Sequence, residues 1–146
     1  MRAIGPRIPG LALVLGVAGL IPFVWGVLVV QTGALLPPGM ADPRVAVLAY
    51  GLMIYCFMAG CLWGFAAKGE WSAGYALSIA PILFFIVFAV FGMPVNFVLL
   101  IGFVLLLPLD WIFARRGLAP GWWLKLRLGL SIVVIASLVA LVRTGI

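Results

Sequence analysis

A chain of 146 residues is one domain by length. It is 67% hydrophobic and 8% charged, where a soluble domain is roughly 45–50% apolar and about 25% charged. A small soluble fold keeps much of its area in water and could not hide that apolar surface, so a soluble globular domain, a disordered chain and a coiled coil are excluded and an integral membrane protein remains. Nine Lys or Arg against three acids give a formal +6, but the cations are scattered between apolar runs. Only Arg115 and Arg116 are adjacent, and no basic helix interleaves aromatics, so the charge reads as topology signals and not as a nucleic-acid surface.

The first apolar run, Leu11 to Val30, is about 20 residues without a charge, which matches a hydrocarbon core of about 30 Å at 1.5 Å per residue. Arg2 and Arg7 precede it as they would a signal peptide. The run is longer than a cleaved apolar segment of roughly 7–15 residues and continues into Gln31, Thr32 and a Pro37-Pro38-Gly39 turn, so a retained span is expected. Further spans are predicted at about 45–67, 72–91, 94–113 and 122–142, with Gly92-Met93-Pro94 as a tight hairpin between the third and fourth. The runs are too long for membrane strands and lack their alternation. Helices satisfy their own backbone in lipid. The expected fold is therefore all-α, a polytopic compact bundle of five transmembrane helices forming a single domain.

Five crossings put the termini on opposite sides. One side then holds Arg2, Arg7, Lys68, Arg115, Arg116, Lys125 and Arg127, the other Arg44 and Arg143. That bias places the N-terminus inside an inner membrane and the C-terminus outside. Trp71, Trp111, Trp122 and Trp123 gather near the positive ends, as an interfacial belt does.

Span one carries Ala12, Gly16, Gly19 and Gly26 on one face, span two Cys56, Gly60, Trp63, Gly64 and Ala67, and span five Gly129, Ala136 and Ala140. Small residues let helices approach closely in lipid, so these three faces are expected to build the bundle. The alternative for Gly60, Trp63 and Gly64 is a face that docks another membrane protein or a second copy, and exposure decides between the two. Pro22, Pro81 and Pro108 interrupt or end spans and can kink them. The bundle centre offers only Ser78, Ser137, Tyr50, Tyr55 and cysteines, which argues against an ion- or proton-coupled pump. Asp110 is the one acid drawn toward lipid. Two readings stand for it: a pair with Arg127 that staples spans four and five, or a carboxylate wetted at the headgroups.

The chain has no histidine, which removes the commonest metal ligand and general base. Cys56 and Cys61 lie about 140° apart on a helix, so they cannot pair locally, and they read as small packing residues. No catalytic, cofactor or metal site is predicted.

Two segments, Tyr50-Gly51-Leu-Met-Ile54-Tyr-Cys56-Phe57-Met-Ala59-Gly60-Cys-Leu62-Trp63-Gly64 and Pro120-Gly-Trp122-Trp123-Leu-Lys-Leu126-Arg127-Leu-Gly-Leu130-Ser131, resemble domain of unknown function family 3429, the transmembrane protein 69-like small inner-membrane proteins. The resemblance implies about five spans over nearly the whole chain and no established activity. In architecture alone the chain also resembles the tryptophan-rich sensory (translocator protein) family, whose motifs it lacks. The expected function is that of a non-enzymatic accessory, assembly or stabilising partner of a larger membrane complex, in contact with the lipid bilayer. The alternative is a binder or carrier of a small hydrophobic ligand, with a cavity among Trp63, Trp71, Trp111 and Trp122 anchored by Asp110 and Arg127.

Overall fold

The computed structural model describes residues 7–144; Arg2, counted above among the cations, lies outside them. Six helices follow in order: α1 (Gly10–Ala18), α2 (Ile21–Thr32), α3 (Pro43–Lys68), α4 (Ser72–Val90), α5 (Val95–Arg115) and α6 (Trp123–Arg143). There is no strand among the described residues. The stretch Gly10–Thr32 and each of α3 to α6 are long and apolar enough to cross a membrane, and short connections make sequence neighbours antiparallel. The outer surface is apolar, with Leu11, Met53, Val90 and Phe91 exposed, as hydrocarbon requires of it.

The first span is not one helix. Pro22 has no N–H to give to the preceding turn, and the ladder shifts there. The Leu20 N–H turns to the Val17 carbonyl and the Phe23 N–H to the Leu20 carbonyl. The Gly19 carbonyl is satisfied from another helix, accepting from the Tyr50 hydroxyl at 2.8 Å. Pro81 lies inside α4, which runs on through it as one helix, and the Tyr55 hydroxyl donates to the Pro81 carbonyl at 2.6 Å. Both proline regions are thus tied to α3 by a tyrosine, and at Gly19 the tyrosine takes the place of a backbone donor lost to the break, the way neighbouring helices re-satisfy broken backbone in lipid.

Three helix ends close by the same motif, in which a left-handed residue lets two N–H groups reach back to orphan carbonyls. After α4, Gly92 (φ 83°) donates to Ala89 and Met93 to Phe88. After α5, Gly117 (φ 71°) donates to Ala114 and Leu118 to Phe113. After α3 the left-handed residue is Glu70, at φ 50°, where a side chain costs about 1–2 kcal/mol. Glu70→Gly is expected to raise stability by about 1 kcal/mol. Thermal unfolding in detergent reads it, and a lowered midpoint would show that the glutamate itself holds the turn.

α5 is the central helix, packed on α3, α4 and α6. Leu99, Phe103, Leu106 and Phe113 face inward from it, against Tyr55, Leu62 and Ala66 of α3 and Val134, Leu138 and Leu141 of α6. α2 lies on α3 and α6, while α1 leans on α6 and buries no residue.

Candidate functional site

The polar centre sits where α5 and α6 meet. Asp110, about one turn from the end of α5, is 1% exposed, and Arg127, in the second turn of α6, is 4% exposed. The Arg127 Nε donates to Asp110 Oδ2 at 2.9 Å. The Trp123 indole Nε1 donates to the other oxygen, Oδ1, also at 2.9 Å. Trp123 and Arg127 are four positions apart and therefore share a helix face, so one turn of α6 supplies both donors. Asp110 is thus not wetted at the headgroups. The arrangement follows from the solvent: a carboxylate and a guanidinium in hydrocarbon are tolerable only when each satisfies the other.

This turn corrects two expectations. Trp123 is not part of a belt: it is 9% exposed, donates to Asp110, and its ring meets Phe65 edge-on. Trp71 and Trp111 do lie beside cations, with the Arg116 guanidinium 4.0 Å from the Trp71 ring centre and Arg115 4.9 Å from that of Trp111. Arg127 is not a loop cation, which leaves Arg7, Lys68, Arg115, Arg116 and Lys125 against Arg44 and Arg143 among the described residues.

The pair does not use every donor. Arg127 Nη2 is buried with no hydrogen-bond partner, and so is Ser131 Oγ one turn further along α6. Arg127, but not Ser131, is also among the residues lining a cavity of about 290 Å³ bounded by the first span, α3 and α6. Its wall includes Gly16 and Gly19, Phe57 and Cys61, and Trp122 and Arg127. The break at Gly19 creates it: α1 follows α6 and leaves the second half of α3 uncovered on that side. Of the aromatics proposed to line such a cavity only Trp122 does so. Trp63, Trp71, Trp111 and Asp110 lie outside it, because Trp63 turns outward onto Tyr75 (ring centres 4.7 Å apart) and Trp71 packs on Phe113. The two sequence segments that carry the family resemblance meet here, through Ile54 and Phe57 on one and Trp122 and Arg127 on the other.

The small-residue faces divide. Gly16 packs against Leu130 and Leu126 of α6, Gly19 lies beside the Tyr50 hydroxyl, and Gly26 receives Val47 of α3. Gly60, Gly64 and Gly129 have no neighbouring group where a Cβ would stand, and all three are exposed, as are Trp63 and Ala136. The expectation that the faces of spans two and five build the bundle is therefore corrected. Residues two positions apart point about 200° apart on a helix. Burying Leu62 turns both Gly60 and Gly64 outward, and burying Arg127 turns Gly129 outward. α3 meets its neighbours through Tyr55, Ala59, Leu62 and Ala66 instead.

Sequence reasoning missed Trp123 as a donor to Asp110, Ser131 as a buried orphan and Asn96 as a buried amide. The spacing Trp123-x-x-x-Arg127, which puts two donors on one face, was the available signal for the first. Cys56 is exposed and Cys61 half-buried, both as free thiols. No group of three or more Cys, Asp or Glu side chains gathers among the described residues.

Comparison with known proteins agrees with this architecture. Transmembrane protein 69 of Xenopus tropicalis is 31% identical over 137 residues, covering 90% of this chain and 53% of that protein. The chain thus spans about half the length of the curated relative it matches. No solved structure matches the chain. The family described as "Protein of unknown function (DUF3429)" matches residues 8–142, and with five apolar helices in place the chain belongs to that family of multi-pass membrane proteins.

Proposed function

We propose that the protein is a non-enzymatic partner of another integral membrane protein, acting as an accessory, assembly or stabilising subunit, or joining a second copy of itself. It sits in an inner membrane with its N-terminus inside, an orientation supported by the cation bias that persists once Arg127 is set aside. The observation that carries the reading is the open Gly60–Gly64 face. These glycines stand one turn apart, beside the exposed Trp63, and among the described residues no group beyond their own turn of helix lies within 4 Å of where their side chains would be. In lipid, small residues gain packing energy only where another helix comes close, and none of the other described helices does so here.

Gly60→Leu with Gly64→Leu is the test. Because the added side chains meet nothing, the substituted protein is expected to keep its melting midpoint to within about 0.5 kcal/mol of stability. On native gels in mild detergent it is expected to lose the larger complex that the wild type forms. A wild-type protein that runs alone, or a complex indifferent to the two leucines, overturns the reading.

A second reading, a small hydrophobic ligand binder or carrier, is favoured by one observation. The cavity of about 290 Å³ is walled almost wholly by apolar side chains and includes a single charged one, Arg127, the composition that ligand pockets share.

A further inference from the structure

We infer that the end of the bundle where α3 and α5 finish holds the phosphate of an anionic phospholipid, and that Arg115 and Arg116, each laid on a tryptophan ring, are the groups that recognise it.

α5 finishes on these two consecutive arginines, and each lies over an aromatic face. The Arg116 guanidinium is 4.0 Å from the centre of the Trp71 ring, and that of Arg115 is 4.9 Å from the centre of the Trp111 ring. The Trp71 ring is a fixed platform. It meets the fully buried Phe113 edge-on, with 5.3 Å between ring centres, and it presses on α4 at Gly74, where a Cβ would stand 2.6 Å from the ring. Trp111 lies one turn before Arg115 on the same helix, so helical spacing sets the second platform. A ring attracts the flat face of a guanidinium and leaves the N–H groups around its edge free.

Those donors have no partner among the described residues. Neither arginine side chain makes a hydrogen bond or an ion pair there. The chain has three acids, Asp42, Glu70 and Asp110. Asp110 is spent on Arg127, and Asp42 caps the opposite end of α3. Glu70 is near the arginines along the surface but pairs with neither. An exposed guanidinium held flat offers two parallel donors, the geometry that a phosphate accepts.

Depth and charge select the ligand. Trp71 immediately precedes the α4 span, and Trp111 stands one turn inside the end of the α5 span. Tryptophans at such positions rest at headgroup level, so guanidiniums lying on them stand where lipid phosphates are. Gly69, just after α3, packs on Leu118, just after α5, which brings Lys68 and Glu70 to the same end. Lys68, Arg115 and Arg116 against Glu70 leave a net charge of +2 there. A zwitterionic headgroup would bring a further cation to that surface, whereas an anionic one brings only the charge that basic residues attract. A free phosphate ion carries the same oxygens but no acyl chains to hold them at that depth.

The test is native mass spectrometry of the full chain in detergent, titrated with phosphatidylglycerol or with phosphatidylcholine of the same acyl chains. It reads the dissociation constant of the first bound lipid. Phosphatidylglycerol is expected to bind roughly tenfold more tightly, the worth of one hydrogen bond to a charged group. Arg115→Gln with Arg116→Gln is expected to bring the two lipids level. Both side chains are exposed, so the core is untouched. Arg115→Lys with Arg116→Lys keeps every charge but gives up the flat stacking and the paired donors, and is expected to lose most of the preference. Trp111→Leu removes a ring that is 50% exposed and no charge, and is expected to weaken the preference severalfold. Lys125→Gln removes an exposed cation that lies over no ring, and the preference should survive it.

Equal binding of the two lipids by the wild type overturns the inference. A preference that survives the lysine exchange, or that falls as far with Lys125→Gln, shows a diffuse field of cations in place of recognition and overturns it too. Millimolar inorganic phosphate that raises the melting midpoint of the wild type as far as phosphatidylglycerol does, and fails to do so for the double glutamine variant, assigns the site to a free phosphate and overturns the lipid.

Discussion

Asp110→Asn is expected to destabilise the bundle by about 3–5 kcal/mol, the cost of leaving one member of a buried ion pair without the other. The substitution keeps an oxygen for the Trp123 indole but removes the charge that the Arg127 guanidinium faces at 2.9 Å. Arg127→Met should cost a similar amount for the mirror reason, a carboxylate left in hydrocarbon. The double substitution removes both charges, and its cost should fall short of the sum of the two by about 2–3 kcal/mol, the range of coupling between contacting residues. Thermal unfolding in detergent, followed by circular dichroism for all three variants, reads the cycle. Additive losses would mean that the two side chains act independently, and an unchanged midpoint for Asp110→Asn would mean that the pair contributes nothing to holding α5 on α6.

Gly102→Ala carries the second large effect, about 3 kcal/mol of destabilisation. A Cβ there would stand 2.7 Å from Tyr55 Cε2 and 2.9 Å from both Cζ and the hydroxyl oxygen. Those atoms belong to a stiff ring that cannot fold away. It is packed edge-on against Phe103 and held at its far end by the hydrogen bond to the Pro81 carbonyl. Overfilling a core costs about 1–3 kcal/mol, and displacing the ring also gives up a hydrogen bond worth about 1 kcal/mol. Tyr55→Leu in the Gly102→Ala background removes the ring from the clash, so the double variant should lose less than the two single effects combined. Gly129→Ala serves as the control, since nothing stands near that position, and its midpoint should not fall. A Gly102→Ala protein as stable as the wild type would mean that α3 and α5 are not in the close contact described.

These two sites show where the sequence stops speaking. Asp110 stood out in the sequence as an acid inside an apolar run, with Arg115, Arg116, Lys125 and Arg127 all within reach along the chain. The sequence singled out Arg127, at the start of the next helix on the same membrane side, but left a carboxylate wetted at the headgroups as an equal alternative. Packing chose Arg127, because its face of α6 is the one that also presents Trp123 to α5. Gly102 gave no sequence signal at all: its worth depends on a tyrosine 47 positions earlier, which no local pattern connects to it. The glycines of α3 gave a signal that was misassigned to internal packing. A stripe of small residues says that a close approach is possible, not which helix makes it.

The number of crossings, their helical nature and the membrane setting were determined by the sequence alone. They follow from run length against bilayer thickness and from the need of every backbone group for a partner inside the same segment. The rotation of each helix about its axis was decided only in the tertiary structure. In water the apolar side of a helix announces where the core lies, but in a bilayer the side facing lipid is as apolar as the side facing protein, and hydropathy cannot tell them apart. The orphan nitrogen of Arg127, the gap opened by the break before Pro22 and the outward turn of Gly60 and Gly64 all depend on that rotation. The few polar groups set it, since they alone cannot be left against hydrocarbon.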